Sequence, residues 1–119
     1  MSRARGRHWE IIAERWLRRN KVEIIGRNYS CRFGEIDLIA RDGSEIAFVE
    51  VKYRSRTGYG SGAEHVTRTK QRRIVSTARH YIQLHQFAPA QIFRFDVISI
   101  SDDRNKGKIQ WIKSAFEAV

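Results

Sequence analysis

The chain has 119 residues, with 23 Lys and Arg against 13 Asp and Glu, and a formal net charge of +10. That length suits one domain, residues 1–119, and 41% hydrophobic residues exclude a disordered tail. The basic excess favours a polyanionic partner, nucleic acid ahead of a membrane surface or an acidic protein, against the plain alternative of charge that only keeps the protein in solution.

In chain order, the basic stretch Met1 to Arg7 resembles the start of a signal peptide. Glu10, Glu14 and Arg15 then interrupt the hydrophobics, and no apolar core follows. Trp9, Ile12, Ala13, Trp16 and Leu17 instead recur at helical spacing and predict an amphipathic helix over about 7–20. A strand is expected near 22–30. Cys31, the single cysteine, excludes an internal disulfide framework and a cysteine-based zinc site, and agrees with a reducing compartment. Phe33 to Arg41 and Ser44 to Tyr53 read as strands joined at Asp42-Gly43, a strong hairpin signal. The charged, glycine-rich stretch from Arg54 to Gly62 is long for a turn and has the character of a functional loop.

A second helix is expected over about 67–86, with Ile74, Val75, Ala78, Tyr81, Ile82 and His85 as its buried stripe, ended by Ala88-Pro89. Strands follow near 92–100 and 108–112. The order helix, three strands, helix, two strands is that of an α/β protein with a mixed sheet. No run reaches the roughly 18 apolar residues of a membrane span, so the protein reads as cytoplasmic with no membrane partner.

The hairpin carries the chemistry. With Asp42-Gly43 as the turn, Glu35 faces Glu50 and Asp37 faces Phe48. Glu35, Asp37, Glu50 and Lys52 then share one side of the sheet, while Ile36, Leu38, Ala40, Ala47, Val49 and Val51 share the other. Asp37 and Glu50 become diagonal neighbours about 7–8 Å apart. Two carboxylates so placed can share a hard cation; a solvated polar face is the alternative.

Gly34-Glu35-Ile36-Asp37-Leu38-Ile39-Ala40 followed by Phe48-Val49-Glu50-Val51-Lys52 resembles the signature of the bacterial YraN-type family of endonuclease-like proteins. That family is grouped with the restriction-endonuclease-like PD-(D/E)xK superfamily and is similar to archaeal Holliday junction resolvases. The resemblance runs from Gly6 to Phe116. It implies a restriction-endonuclease-like α/β fold, a mixed central sheet of about five strands flanked by helices. It further implies that Asp37 and Glu50 hold Mg2+ or Mn2+ with the backbone carbonyl of Val51, that Lys52 orients or activates the attacking water, and that Glu10 completes the site. The proline of the superfamily signature is replaced here by Gly34-Glu35-Ile36 before Asp37, and Trp9 stands where relatives often carry glycine.

On this basis the expected activity is metal-dependent hydrolysis of phosphodiester bonds in nucleic acid, with DNA the expected substrate. A non-cleaving binding module on the same fold is the alternative. Lys70, Arg72 and Arg73, with Arg54 and Arg56, are the expected phosphate contacts, against a reading as solvated helix and loop residues. Resolvase-like relatives act as dimers, so a homodimer is compatible with the resemblance. Tyr59 is a candidate for base stacking or for packing within its loop. His8, His65, His80 and His85 lack metal spacing. Trp9, Trp16 and Trp111 are assigned to the core, and Asp96 to a structural pairing with an arginine, an assisting role at the site being the alternative.

Overall fold

The computed structural model describes residues 3–54, 66–103 and 106–118. Arg56, Tyr59 and His65 lie outside the described residues. Helix α1 (Arg3–Arg19) is followed by strands β1 (Glu23–Cys31), β2 (Gly34–Asp42) and β3 (Glu45–Arg54). Helix α2 (Arg68–Leu84) then leads to β4 (Ile92–Asp103) and β5 (Lys106–Phe116). The final strand is longer at both ends than its sequence suggests.

Among the described residues the five strands form one sheet in the order β1-β2-β3-β4-β5. Every neighbouring pair is antiparallel except β3 and β4, which run parallel with α2 in their connection. Along β3 the residues alternate between two cores. Ile46 and Phe48 pack with Ile74, Val75, Ala78 and Tyr81 of α2, while Ala47 and Val49 pack with Ala13 and Leu17 of α1. One helix therefore covers each face, and a strand buried on both sides needs the near-continuous apolar run seen at 46–49. Trp9, Trp16 and Trp111 pack against the α1 side, as expected of core residues. No described helix is long and apolar enough to cross a membrane.

Local chemistry sets the helix ends. Thr67 caps α2, its hydroxyl accepting from the Lys70 N–H at 3.1 Å. The helix stops at Leu84, and His85 is exposed rather than buried, closing the end through its N–H to the Tyr81 carbonyl. Thr77 takes a place in the buried stripe that periodicity does not assign to it, its hydroxyl donating to the Arg73 carbonyl at 2.7 Å.

Two expectations about the hairpin are corrected. The turn is Gly43-Ser44 rather than Asp42-Gly43, so Asp42 pairs with Glu45 and Leu38 with Val49. The reason is distant in sequence: Arg94 on β4 donates to Asp42 at 2.7 Å and to Glu45 at 2.9 Å, holding two like charges that would otherwise repel across the ladder. Gly43 provides the left-handed φ of 62°. The second correction is Ile36, which packs in the α2 core rather than with Leu38 and Ala40. The change of face falls between the pairs Tyr29–Ile36 and Arg27–Leu38, opposite Asn28, which adopts φ 48°.

Candidate functional site

Continuing the hairpin register brings Asp37 directly across from Glu50, closer than the diagonal relation that an Asp42-Gly43 turn would give. The paired ladder stops one step earlier, at Leu38 and Val49. Beyond it the Val51 N–H donates to Asp37 Oδ2 at 2.8 Å. This leaves Asp37 at the wall of a cleft of about 520 Å³ that Glu35, Glu50, Lys70 and Arg73 also line.

The electrostatics of the cleft are those of an anionic pocket with internal cations. Burial, and then the neighbouring Glu50 charge, push the Asp37 carboxyl well above the usual carboxylate range, against the opposing pull of the Val51 N–H. Glu50 is 4% exposed and forms an ion pair with Lys70. Burial works to lower the Lys70 pKa, but Glu50 outweighs it and the ammonium is held above its ordinary value. Lys52 shifts the other way: burial and the charge of Lys70 lower it, against the attraction of Glu50 and Asp37. Asp37, Glu50, Lys52 and Lys70 thus form one interacting group contributed by β2, β3 and α2.

A third element reaches the same carboxylate. Glu10 on α1, Glu35 and Asp37 each offer an oxygen, all within 4.8 Å of one another. Asn28 organises this side, its amide donating to Glu10 Oε1 at 2.6 Å and to Glu35 Oε1 at 3.3 Å. Ser30 donates to Glu35 Oε2 at 3.3 Å. These are hard oxygen donors at separations that small side-chain adjustments would bring to the roughly 2.0–2.1 Å metal–oxygen distances of Mg2+. The donor chemistry fits a divalent cation.

The expected site residues divide accordingly. Asp37, Glu50 and Lys52 interact with one another, and Glu10 reaches Asp37 from α1, whereas Glu50 is turned toward Lys70 and lies outside the three-acid cluster. The contact Val51 makes here is through its N–H. Lys70 and Arg73 line the cleft; Arg72 lines a different one, of about 320 Å³, with Arg68, Gln71 and Glu117. Arg54 closes β3. Asp96 is fully buried beneath Arg94, accepts from Trp111 Nε1 at 2.8 Å and from the Ser114 N–H at 3.0 Å, and belongs to a structural cluster. Glu35 is the acid whose part periodicity left unassigned, although its place in the Gly-Glu-Ile-Asp run was visible. Asn28 had no sequence signal, because its reach depends on a positive φ.

A five-stranded mixed sheet with a helix on each face, and acids and lysines gathered at β2 and β3, defines a small α/β protein compatible with a restriction-endonuclease-like fold. The chain belongs to the uncharacterised protein family UPF0102, whose profile matches residues 9–100; this is the YraN-type family that its motifs resemble. It is 48% identical over 114 residues to a UPF0102 protein of Aeromonas hydrophila, covering 95% of this chain and 85% of that relative. A Methylobacillus flagellatus UPF0102 protein is 43% identical, covering 92% of this chain and 93% of its own. One from Legionella pneumophila is 40% identical, covering 99% and 98%.

Proposed function

We propose that the protein is a cytoplasmic, metal-dependent endonuclease that hydrolyses phosphodiester bonds in DNA, acting on branched DNA in repair or recombination and working there as a homodimer. What carries this function is the convergence on Asp37: a half-buried carboxylate at the wall of the cleft whose charge is opposed by Glu50, with Lys52 and Lys70 beside it and Glu10 and Glu35 reaching the same point. A purely structural role gives no reason to gather repelling acids at the mouth of a cleft.

In this reading Asp37, Glu10 and Glu35 would hold Mg2+ or Mn2+, with Glu50 and the carbonyl of Val51 as its further ligands. The cation would supply Lewis-acid polarisation of the phosphoryl oxygen and offset its charge. Lys52 orients the attacking water and stabilises the negative charge that grows on the phosphoryl group toward the transition state. Lys70 and Arg73 hold the neighbouring phosphates at the cleft, and Arg54, Arg56 and Arg72 extend the contact along the backbone. Such contacts give affinity that falls with salt and no base preference.

One observation favours a second reading, a recognition module that binds without cutting: the Lys70–Glu50 ion pair already supplies an internal cation to the acids. The deciding experiment is cleavage of labelled single-stranded, duplex, flapped and four-way-junction DNA with Mg2+, Mn2+ or EDTA, using wild type and Asp37→Asn. Cleavage that needs metal and is lost in Asp37→Asn supports the nuclease. Binding without cleavage, unchanged in Asp37→Asn, supports the recognition module.

A further inference from the structure

We propose that Arg32 and Phe33 form a stacking platform for one unpaired base, so that the strand led into the Asp37 cleft is single-stranded at that point. This rests on the reading of the cleft as a nucleic-acid site and adds what it accepts.

The last pair of the β1–β2 ladder is Cys31 with Gly34, which leaves Arg32 and Phe33 as the two residues of the turn. Two-residue turns favour Asn, Asp and Gly, so the local backbone has no use for an aromatic ring here. Phe33 is nevertheless 40% exposed. Isolated exposed apolar residues are ordinary. This one differs in being fixed in place, flanked by a cation and set at the rim of the acidic cleft.

The fixing comes from α2. Gly34 has φ 151°, and a Cβ there would stand 3.3 Å from Thr77 Oγ1 and 3.4 Å from Arg73 Cβ, so the turn rests directly on the helix. His80, one turn further along, makes a T-shaped contact with the Phe33 ring, centroids 6.4 Å apart, and is itself hydrogen-bonded to the Tyr29 hydroxyl at 2.5 Å. The Arg32 guanidinium lies over a face of the ring, 4.8 Å from its centroid. A flat group therefore already fits against Phe33. An exposed cation–π pair is worth less than base–aromatic stacking, so a base displaces the guanidinium from the ring and Arg32 turns to the adjoining phosphate.

The position then sets the substrate. Gly34 and Glu35, next in the chain, line the cleft together with Arg73. Phe33, in the turn, and Asp37, on β2, are four residues apart, at most about 13 Å at roughly 3.3 Å per residue. A strand a few nucleotides long can span both. Bases inside a duplex have their faces covered by their neighbours, whereas a flap or frayed end offers an open one.

The test is binding in EDTA, where nothing is cut. It uses a labelled short oligonucleotide, single-stranded or as a blunt duplex, with wild type, Phe33→Ala, Phe33→Leu, Phe33→Trp and Arg32→Gln. Phe33 is exposed, and thermal melts of each variant establish folding independently of binding. Wild type is expected to prefer the single strand. Phe33→Ala and Phe33→Leu are expected to weaken single-strand binding on the order of tenfold and to change duplex binding by less than about twofold, while Phe33→Trp retains the preference. Arg32→Gln is expected to reduce the salt dependence by about one phosphate contact. Unchanged single-strand binding in Phe33→Ala overturns the platform and leaves the nuclease reading standing. Equal rescue by leucine and tryptophan also overturns it, because apolar area rather than a ring face would then be at work. Failure of wild type to bind any nucleic acid, in EDTA and again with Ca2+ in its place, overturns both readings.

Discussion

Lys70 Nζ is ion-paired to Glu50, joining the start of α2 to the strand that carries Lys52. Glu50 is buried and Lys70 is 45% exposed, so the two ends of this bond differ in solvation. Breaking a fully buried pair costs about 3–5 kcal/mol, and the exposure of the lysine reduces that substantially. Lys70→Met is therefore expected to destabilise the metal-free protein by about 1–2 kcal/mol. Urea unfolding in EDTA and again with Mn2+ checks this; in the proposed nuclease, the ion recovers part of the loss by taking over as counter-charge to Glu50.

Asp37→Asn has the opposite sign without metal. The folded protein raises the Asp37 pKa through burial and the Glu50 charge, so keeping Asp37 ionised costs stability. The cost is absent below the unfolded-state value near 3.8, grows as pH rises toward the elevated folded value, and is complete above it. In EDTA, Asp37→Asn is expected to melt above wild type at neutral and higher pH, with the difference closing toward pH ~4. Adding Mn2+ should stabilise wild type more than the variant. Thermal melts across pH with and without the ion read both effects, and equal Mn2+ stabilisation of the two proteins would remove Asp37 from the ion's ligands.

Lys52 separates catalysis from metal binding. Its side chain interacts with Asp37 and Glu50 without belonging to the three-acid cluster. In the proposed mechanism Lys52→Ala lowers the cleavage rate by about 10²–10³-fold, while Mn2+ still raises the melting temperature. Single-turnover cleavage and the melting shift, measured on the same preparation, test the separation.

Arg94 is the largest single risk to the fold. It is 10% exposed and bridges Asp42, Glu45 and the fully buried Asp96, with Trp111 beneath its guanidinium at 5.6 Å. Arg94→Ala leaves Asp96 buried beside an empty place and is expected to cost about 3–5 kcal/mol. The pH dependence has a definite sign. The Arg94 hydrogen bond holds the Asp42 carboxyl below its usual range, so this part of the stability is present above the unfolded value and is lost as pH falls through the folded one. Wild type should lose stability more steeply than Arg94→Ala on acidification below about pH 4, as denaturant midpoints at successive pH values would report.

The elements were legible because their signals are local. The 3.6-residue stripe of Trp9 to Leu17 and the apolar runs of β2 and β3 give helix and strands from a few consecutive residues. The hairpin turn was misplaced by one residue because Arg94, about fifty positions away, decides between two neighbouring turns, each containing Gly43. The face assignments of Asp37, Glu50 and Lys52 survived this error, since moving the turn by one residue preserves the parity of opposite positions. Ile36 did not survive it, because parity cannot anticipate the positive φ of Asn28. Asn28, which has that dihedral, bonds Glu10 and Glu35, so an unforeseen part of the site and a misplaced core residue lie beside one another on neighbouring strands.

The Arg94 bridge has a consequence for how this sequence can vary over generations. Asp42 and Glu45 lie five residues from Asp37 and Glu50, about 17 Å along the hairpin at roughly 3.4 Å per residue. A single residue inserted into either strand would leave one strand's side chains inverted relative to the other's and separate Asp37 from Glu50. The hairpin is thus a measuring rod, calibrated at the end remote from the cleft. A lineage can exchange exposed charges away from the cleft, such as Arg15 on α1 or Arg79 on α2, one at a time, but a change of length between the bridge and the acids must be compensated in the facing strand.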